Sequence, residues 1–593
     1  MSLPPAVPCS AEANVRAALT LLRSFMDAGL RRLVLCPGSR SAPLALAAGL
    51  LAERGLELWT GIDERSAAFF ALALGRHDGV PAAVVTTSGT AVANLLPAAV
   101  EADFGAIPLL LITADRPARL KGSGANQTVN QEAFLRASAR CLLEASPTGL
   151  ASQGPELIQA LAAEAWRSSL AAPRGPVHLN VPFEEPLHAS AQVLSALQTE
   201  LAAQLLPQML TSASAVLEPK APQLSSAPGG LDPDQPGVVV VGPWRGTPAE
   251  LKDFAESLGQ WQRRSGWPVL ADALSGLRGW PGLELVQGYD LLLNEGHGLP
   301  LAPQLLRLGP VPASRRLQNW IAQCGSSQLL ITENDPRNLD ALGCAACRDA
   351  SGFQQWLRAW PASTWAQQPS PINLAWSRVW SEADLGVQRL LSETFGSPGP
   401  LSEPALAYHL SRALPAGLPV LLANSSPVRD WESFMAASSP HRPIHSFRGA
   451  SGIDGTLSLA CGLAAAGERA FLISGDLALF HDANGWLWRE QLMARGKRLT
   501  VFVLDNQGGG IFEQLPIRPA LDFERLFAMP QTLEPGPWAE GYGIPWRPLL
   551  GLDQLESVLE WALEQPLALV VARTERQADA ELRHGLRRRM VAP

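Results

Sequence analysis

Cysteine is scarce in this sequence, with 7 residues among 593, and the cysteines follow no repeating spacing. Such usage argues against the disulfide framework of a small secreted protein and predicts a reducing, cytoplasmic location. Cys344 and Cys347 have the spacing of a metal-binding pair. Because no second pair accompanies them, two packed thiols are favoured over a zinc site.

Long apolar runs are also missing, because Gly, Pro or a charged residue interrupts each apolar stretch before it reaches about 18 residues. The N-terminus lacks the basic segment followed by an apolar run that marks a secretory signal. We therefore expect neither a membrane span nor a secretory signal.

Basic residues are fewer than acidic ones: the chain has 47 Lys and Arg and 55 Asp and Glu, which gives a net charge of −8. This balance argues against bulk binding of nucleic acid. Hydrophobic residues make up 47% of the chain and charged residues 17%, which is typical of a compact globular protein. If such a protein binds acidic small molecules, it must concentrate arginine locally, so the positions of the arginines matter more than their number.

The fold class follows from helical stretches that alternate with short buried strands, for example at residues 33–36, 83–86 and 109–113. This alternation predicts an α/β protein with three consecutive open, mostly parallel sheets. A chain of this length is expected to form roughly three or four domains. The predicted parts are an N-terminal α/β domain (1–190), a linker that is helical at first (191–236), a central α/β domain (237–365) and a C-terminal α/β domain (366–593).

Three residues near the ends of two predicted strands form a candidate metal site, which we call the strand-end cluster: Asp476, Asn506 and Gly508. The strands cover residues 471–474 and 500–504, and a helical segment separates them, so both would end at one edge of a parallel sheet. The Asp and Asn side chains and a backbone carbonyl near Gly508 are oxygen ligands suited to Mg²⁺, which diphosphate oxygens would complete. Taken alone, such residues are equally typical of ordinary strand-end turns.

A second polar turn follows the predicted strand at 33–36 and contains Ser39 and Arg40 in the sequence CPGSRSAP (36–43). Arginine at a strand end can hold a carboxylate through its two-pronged guanidinium. An ion pair at the surface is the competing interpretation.

Several blocks together resemble a known family. They are CPGSRSAP (36–43), DERS (63–66), TSGTAVANL (87–95), TADRP (113–117), GANQ (124–127), GPVHLN (175–180) and RGASGIDG (448–455). With the strand-end cluster, these blocks resemble the 2-succinyl-5-enolpyruvyl-6-hydroxy-3-cyclohexene-1-carboxylate synthases, transferases of the thiamine diphosphate-dependent superfamily. Leu477 stands where the superfamily usually has a third glycine, and Asp505 where it usually has the first of two asparagines.

The resemblance implies roles for particular residues in binding thiamine diphosphate and Mg²⁺ or Mn²⁺. Glu64 is the implied catalytic acid at N1′ of the pyrimidine, although a surface ion pair is the simpler interpretation of such a residue. Ile453 matches the apolar residue that bends the cofactor, and Ile511 would lie near the thiazolium, although each fits an ordinary core position as well. The implied cofactor-binding set is Ser39, Glu64, Gly89, Ile453, Asp476, Asn506 and Ile511, and the implied metal ligands are the strand-end cluster.

The resemblance also implies two dicarboxylate substrates, 2-oxoglutarate and isochorismate, and cations and polar groups that hold them. The implied substrate-binding residues are Ser39, Arg40, Arg116, Gln127, Arg315, Arg316, Ser425, Arg429, Arg448, Phe512 and Leu515. The family commonly has lysine in the pair at 315–316, and the guanidinium fork there would hold a carboxylate differently.

The implied reaction is decarboxylation of 2-oxoglutarate followed by 1,4-addition of the succinyl semialdehyde carbanion to isochorismate, in menaquinone or phylloquinone biosynthesis. In the family the N-terminal domain binds the pyrimidine, the C-terminal domain binds the diphosphate, and the cofactor lies between domains of two subunits. The chain is therefore expected to form a homodimer or a dimer of dimers.

Three alternatives remain at this stage. Another thiamine enzyme, such as a 2-oxoacid decarboxylase or acetolactate-type synthase, would share Glu64 and the strand-end cluster but not the motifs around Arg40 and Arg448. A catalytically silent relative would have lost Glu64, Asp476 or Asn506, all of which are present. A nucleotide-binding dehydrogenase would need the spaced glycines that the turn at 508–510 lacks.

Overall fold

The computed structural model describes residues 10–203 and 228–590, apart from positions 295, 297, 326 and 520. In this part of the chain, helices alternate with strands that assemble into three separate sheets. Strands within each sheet pair in parallel. The predicted fold class, α/β with three consecutive open and mostly parallel sheets, is confirmed.

The first sheet has six strands. They are β1 (Arg32–Leu35), β2 (Glu57–Thr60), β3 (Ala82–Thr86), β4 (Leu109–Asp115), β5 (Leu142–Glu144) and β6 (Pro176–Pro182). Their spatial order is β2-β1-β3-β4-β6-β5, and β3, β4 and β6 are buried along their whole length. Strands covered on both faces are mostly apolar, which explains the apolar runs in this region. The helices are α1 (Ala11–Ala28), α2 (Ala42–Ala52), α3 (Glu64–Asp78), α4 (Thr90–Ala93), α5 (Leu96–Gly105), α6 (Pro155–Leu170) and α7 (Ala191–Ala203).

The second sheet has five strands. They are β7 (Val238–Val241), β8 (Val269–Ala271), β9 (Gln304–Leu308), β10 (Ser327–Ile331) and β11 (Cys347–Asp349), and their spatial order is β11-β10-β9-β7-β8. The longest helix of this region, α8, has a complete capping box, in which Thr247 and Glu250 satisfy each other's backbone N–H groups. The helices are α8 (Pro248–Ser265), α9 (Tyr289–Leu292), α10 (Arg315–Gln323) and α11 (Phe353–Arg358).

The third sheet has six strands: β12 (Val420–Leu422), β13 (Ile444–His445), β14 (Arg469–Gly475), β15 (Arg498–Asp505), β16 (Trp546–Leu549) and β17 (Leu567–Arg573). Their order is β13-β12-β14-β15-β17-β16, so β14 and β15 are direct neighbours at its centre. The helices along this stretch of the chain, not all of which belong with the third sheet, are α12 (Pro371–Phe395), α13 (Glu403–Ala413), α14 (Ser426–Phe434), α15 (Thr456–Ala466), α16 (Asp476–His481), α17 (Arg489–Ala494), α18 (Pro535–Glu540), α19 (Leu555–Glu564) and α20 (Arg576–Arg589).

The described residues divide into two compact units. One unit takes its described residues from Met1–Glu218, Phe447–Gly467 and Asp482–Arg495, and it contains the first sheet together with α15 and α17. The other takes them from Pro219–Ser446, Glu468–His481 and Gly496–Pro593, and it contains the second and third sheets. We call them the first unit and the second unit.

The predicted linker begins as a helix, α7, and its residues 204–227 lie outside the described residues. The boundaries between the four predicted parts stay predictions. Among the described residues, none of the helices is both long enough and apolar enough to cross a membrane.

Candidate active site

Asp476 lies directly after β14 and is the first residue of α16. Its side chain is 2% exposed, and its two oxygens accept hydrogen bonds from the backbone N–H groups of Leu477 and Gly508, both at 2.8 Å. Burial raises the pKa of Asp476 to about 7, and the charges of Asp505 and Glu403 act in the same direction. The two backbone donors oppose this rise. A cation at this position would favour the charged carboxylate.

Asn506 lies directly after β15 and is 7% exposed. Its Nδ2 donates a hydrogen bond to the carboxylate of Glu403, which fixes the orientation of the amide. Its Oδ1 is buried and has no hydrogen-bond partner in the described part of the protein. A buried carbonyl oxygen without a partner carries a desolvation cost, which a cation or another donor at that atom would remove.

The turn that follows β15 brings backbone close to Asp476 because its glycines allow it. Gly508 has a φ of +123°, and a Cβ at this position would lie 2.1 Å from the carbonyl oxygen of Ala528. Any other residue would therefore be both strained and obstructed. The carbonyl of Gly508 accepts a hydrogen bond of 2.9 Å from Gly510 and keeps a second lone pair.

The strand-end cluster fits a divalent cation that is shared with a diphosphate. It offers a carboxylate, an amide oxygen that lacks a partner and a backbone carbonyl, all at the end of two adjacent parallel strands. In the part of the chain that the structure describes, no group of three or more His, Cys, Asp or Glu side chains is arranged to hold a metal. The strand-end cluster offers three kinds of protein oxygen, so an octahedral cation bound there would need further oxygens from a diphosphate or water.

The three apolar residues predicted near the cofactor and substrate lie on or beside the short 3-10 helix Gly510–Gln514. Ile511 and Phe512 are half-buried, and Phe512 packs against Phe527 with the ring centroids 5.8 Å apart. Leu515 is exposed. These side chains therefore follow the strand-end cluster directly along the chain and keep apolar surface accessible.

In the second unit, buried Asp290 connects two helices that carry predicted substrate-binding residues, α10 and α14. Its carboxylate pairs with Arg316, and it accepts hydrogen bonds of 2.5 Å from the hydroxyls of Ser314 and Ser433. Burial opposes ionisation of this group, but the Arg316 charge and the hydroxyl donors hold the pKa of Asp290 below its usual value. Because Ser433 belongs to α14, Asp290 joins the start of α10 to α14.

Helix α14 begins directly after Ser425, whose backbone is left-handed with a φ of +75°. The Ser425 carbonyl accepts a hydrogen bond of 2.7 Å from the exposed Arg429. Arg315, the first residue of α10, is also exposed. The predicted residues Arg315, Arg316, Ser425 and Arg429 thus lie on or beside two helices that Asp290 links. Of the two arginines on α10, Arg316 pairs with Asp290 directly.

In the first unit, the loops after β1 and β3 meet where the strand order reverses, which is the usual ligand-binding position in open α/β sheets. Gly38 approaches Thr87 so closely that a Cβ on the glycine would lie 2.3 Å from that of the threonine. Ser39 is exposed, and Arg40 is 7% exposed. The Arg40 guanidinium donates to the carbonyl of Phe183 at 2.9 Å and pairs with Glu185 at 3.1 Å. Arg40 thus forms an ion pair but is buried and does not lie at the surface, and its Nε is buried without a partner in the described residues.

Arg116, Gln127 and Gly89 gather around Ser88. Arg116 directly follows β4 and donates to the Ser88 hydroxyl and, at 3.0 Å, to the Gln127 carbonyl. The Gln127 amide donates to the Ser88 carbonyl at 2.8 Å, and a Cβ on Gly89 would lie 2.8 Å from the Gln127 side chain. Burial, followed by the nearby charge of Arg40, lowers the pKa of Arg116. The positive charges of Arg40 and Arg116 are therefore close enough to influence each other at this end of the sheet, which favours the binding of an anion.

Glu64 is the first residue of α3, and Asp63 caps that helix by accepting from the N–H groups of Arg65 and Ser66. The Glu64 side chain is half-buried and accepts a hydrogen bond of 3.3 Å from the amide of Asn94. No ion pair to a described basic residue is found for Glu64. A carboxylate at a helix N-terminus is well placed electrostatically, and here it remains accessible to a ligand.

The block at 448–455 belongs to the first unit and contains Arg448 and Ile453, both half-buried. Buried Glu101 on α5 holds this block by accepting from the backbone N–H groups of Gly449 at 2.6 Å and Ala450 at 2.7 Å. The N–H of Ser451 donates to it at 3.3 Å. Burial raises the pKa of Glu101, against these three donors.

Comparisons with known proteins identify the family. Residues 16–134 match the family described as "Thiamine pyrophosphate enzyme, N-terminal TPP binding domain", and residues 234–419 match "Middle domain of thiamine pyrophosphate". The 2-succinyl-5-enolpyruvyl-6-hydroxy-3-cyclohexene-1-carboxylate synthase of Synechococcus sp. (strain RCC307) is 52% identical over 577 residues, which is 97% of each chain. Those of Parasynechococcus marenigrum (strain WH8102) and Prochlorococcus marinus (strain MIT 9313) are 50% and 48% identical over 94% of this chain and 98% and 97% of theirs.

The chain belongs to the 2-succinyl-5-enolpyruvyl-6-hydroxy-3-cyclohexene-1-carboxylate synthase family. The resemblance noted from the sequence motifs is confirmed, and the protein is an enzyme. Its relation to the thiamine-dependent synthases makes thiamine diphosphate its cofactor. The roles of the individual site residues stay predictions.

Two buried glutamates beside the predicted site residues of this synthase escaped the sequence reasoning. Glu403 contacts Asn506, and Glu101 contacts the block at 448–455. Both lie on helices, in segments whose sequence is that of ordinary amphipathic or apolar helices. In each case the local signal is a glutamate next to a run of apolar residues, and this signal does not identify the partner of the glutamate.

Cys344 and Cys347 are free thiols in this synthase, as are the other cysteines that the structure describes. Cys344 is half-buried with its sulfur 3.2 Å from the Leu342 carbonyl oxygen, and Cys347 is exposed on β11.

Proposed function

We propose that this enzyme decarboxylates 2-oxoglutarate and adds the remaining four-carbon unit to isochorismate in a 1,4-addition, in menaquinone or phylloquinone biosynthesis. The products are 2-succinyl-5-enolpyruvyl-6-hydroxy-3-cyclohexene-1-carboxylate and CO₂. Identity near 50% over almost the whole chain supports the substrate assignment. The observation that carries the proposal is the strand-end cluster, in which Asn506 keeps a buried Oδ1 without a partner among the described residues. Asn506 and Asp476 follow two neighbouring parallel strands, β15 and β14.

Asp476, Asn506 and the Gly508 carbonyl would hold Mg²⁺ or Mn²⁺ together with the diphosphate. Thiamine diphosphate, when bound, supplies the carbon nucleophile and takes up the electron pair released with CO₂. Ile453 and Ile511 would pack against the cofactor, and Gly89 and Ser39 would contact it through small groups. These four residues would hold the cofactor in place and would not react themselves, so their contribution depends on how rigidly they are held.

Glu64 would hold a proton shared with N1′ of the cofactor pyrimidine. Its place at the first turn of α3 fixes the carboxylate, and its one described side-chain partner, Asn94, leaves hydrogen-bonding capacity for a ligand. This is the residue for which we propose a catalytic role.

Arginines would hold the substrate carboxylates. Arg116 is already oriented by Ser88 and Gln127, and Arg316 is oriented by Asp290. Preorganised cations of this kind stabilise charge in a site from which water is excluded, because they need no reorganisation during the reaction. The remaining proposed substrate contacts come from Ser39, Arg40, Gln127, Arg315, Ser425, Arg429, Arg448, Phe512 and Leu515.

We further propose a homodimer or dimer of dimers and a cytoplasmic location. The sparse use of cysteine supports a reducing compartment.

The test is a reconstitution of purified protein with thiamine diphosphate, Mg²⁺, 2-oxoglutarate and isochorismate, in which each component is omitted in turn. Loss of isochorismate and the product mass are followed. We expect product only when all four are present. Release of CO₂ at a rate that isochorismate does not change would favour a 2-oxoacid decarboxylase, and the absence of any reaction would contradict the proposed synthase activity.

A further inference from the structure

The amide of Asn506 has a single orientation in this structure. An asparagine amide presents a donor on one side and an acceptor on the other, so its partners decide which atom faces a ligand. Here the donor Nδ2 is directed to the Glu403 carboxylate, and the acceptor Oδ1 has no partner among the described residues. The two residues are separated by 103 positions along the chain.

Glu403 is the first residue of α13 and is 2% exposed. One of its carboxylate oxygens accepts from Asn506, and the other pairs with the guanidinium of Arg583. Its backbone N–H donates to Asp579 at 3.2 Å. Both Arg583 and Asp579 lie on α20, so the last helix of the described chain holds this glutamate in place.

Arg583 is itself fixed by a second acid. It is 1% exposed, and its Nε donates to Asp430 on α14 at 2.8 Å. A guanidinium that forms two ion pairs in fixed fork geometry leaves little freedom for the carboxylates around it. Removing one partner of a buried ion pair leaves an uncompensated buried charge, so Glu403 and Arg583 depend on each other.

We propose that Glu403, held by Arg583, is a positioning residue that turns the Asn506 amide so that its Oδ1 faces a divalent cation. The inference rests on the proposed function, because that function places the cation at the strand-end cluster. A carboxylate accepts hydrogen bonds and cannot donate them, so it attracts Nδ2 and leaves Oδ1 on the opposite side. Outer partners that orient a metal ligand in this way are worth about a 10- to 100-fold change in metal affinity in other proteins.

The test compares wild type with Glu403→Gln, which keeps the side-chain shape. Glutamine offers both a donor and an acceptor, so the Asn506 amide is no longer held in one orientation. Binding of Mn²⁺ in the presence of thiamine diphosphate is measured by the EPR signal of free Mn²⁺. We expect the dissociation constant of Mn²⁺ to rise about 10- to 100-fold. An unchanged constant in a folded Glu403→Gln variant overturns the inference.

A matched control separates positioning from stability. Glu432 is also buried in the second unit and pairs with an arginine, Arg278, at 3.1 Å, but it contacts Ala273 and Tyr289 rather than the strand-end cluster. Glu432→Gln is expected to lower the melting temperature and leave the Mn²⁺ dissociation constant unchanged. An equal loss of Mn²⁺ affinity in both variants would mean that Glu403 acts only through general stability.

A double-mutant cycle tests whether Glu403 acts through Asn506. In an Asn506→Ala background, Glu403→Gln should have no further effect on Mn²⁺ affinity, because the oriented amide is already gone. Additive losses would contradict the inference. If Glu403→Gln does not fold, Glu403→Asp serves instead, since it keeps the charge but withdraws the carboxylate by one methylene, and unchanged Mn²⁺ affinity there overturns the inference as well. Failure of the proposed function would look different: wild-type protein itself would show no Mn²⁺ binding that depends on thiamine diphosphate.

Discussion

The backbone N–H of Gly508 donates a hydrogen bond of 2.8 Å to Oδ2 of Asp476, which joins the ends of β14 and β15. The contact requires the unusual backbone of Gly508, with its φ of +123°. The N–H groups of Leu477 and Gly508 together fix the carboxylate between two strand ends. Such preorganisation lowers the cost of binding, because the side chain loses no further freedom.

Replacing Asp476 by asparagine tests this arrangement. Asp476→Asn keeps the size of the side chain but removes its charge. The amide NH₂ group would also face one of the two backbone N–H groups, of Leu477 or Gly508, that now donate to the carboxylate. We expect the Mg²⁺ concentration needed for half-maximal thiamine diphosphate binding to rise at least about tenfold, or about 1.4 kcal/mol. Isothermal titration calorimetry measures it. The exposed Asp553→Asn serves as the control, and equal Mg²⁺ requirements in both variants would contradict the role of Asp476.

Glu64→Gln is expected to retain the fold and thiamine diphosphate binding but to lose turnover about 10²- to 10⁴-fold, the usual contribution of general acid–base catalysis. The amide can still bond to Asn94, yet it cannot share a proton with a pyrimidine nitrogen. Steady-state kinetics with both substrates, together with cofactor titration, separate the two effects. The exposed Glu560→Gln is the matched control. Wild-type turnover in Glu64→Gln would remove this residue from the catalytic role.

Arg116→Gln is expected to lower kcat/KM about 10- to 100-fold, because a guanidinium aimed at an anion is replaced by a neutral group. Affinity for thiamine diphosphate should stay within about twofold if Arg116 binds substrate carboxylates rather than the cofactor. Arg119→Gln offers a close control, since Arg119 lies three residues away and pairs with Glu184. Equal kinetic losses in the two variants would argue against a specific role for Arg116.

Glu101→Ala is expected to release the backbone of residues 449–451, because three N–H groups lose one shared acceptor. Hydrogen bonds to a charged group contribute roughly 1.5–3 kcal/mol each, and the three are coupled, so a total loss of a few kcal/mol is expected. Hydrogen exchange followed by mass spectrometry should show faster exchange in peptides that cover 447–455. The exposed Glu156→Ala should leave these peptides unchanged. Unaltered exchange in Glu101→Ala would contradict the role of Glu101.

Because His178 is buried, we expect the free energy of unfolding to fall in acid. It is fully buried on β6, and its Nε2 lies 2.8 Å from the Thr113 hydroxyl. Burial, followed by the charge of Lys121, lowers the pKa of His178 to about 4. Between about pH 6.5 and 4 the unfolded chain therefore binds a proton that the native chain does not, so the free energy of unfolding falls as the pH falls. Above about pH 6.5 His178 is neutral in both states and costs no stability. By about pH 5 the protonation of the unfolded chain has lowered the free energy of unfolding by about 2 kcal/mol.

Denaturant unfolding at about pH 7.5 and about pH 5 measures this contribution. His178→Gln should lose less stability between the two pH values than wild type does. The exposed His188 provides the matched control, and His188→Gln should behave like wild type. An unchanged pH dependence in His178→Gln would contradict the assignment.

The sequence by itself determined the α/β class, the three sheets and the neighbourhood of Asp476, Asn506 and Gly508. Each of these depends on local order along the chain: apolar runs form buried strands, and consecutive parallel strands end at one edge of a sheet. The motif blocks also identified the family correctly. Such features need no knowledge of distant contacts.

Only the tertiary structure decided which buried charges pair with one another. Glu403 accepts a hydrogen bond from Asn506, Glu101 accepts hydrogen bonds from the block at 448–455, and Asp290 forms an ion pair with Arg316. The partners of Glu403 and Glu101 lie 103 and 348 positions away along the chain. In the sequence a buried acid and a solvated acid look alike, because burial and partner depend on packing between distant elements. The orientation of the Asn506 amide, and with it the acceptor offered to a cation, is therefore a property of the fold.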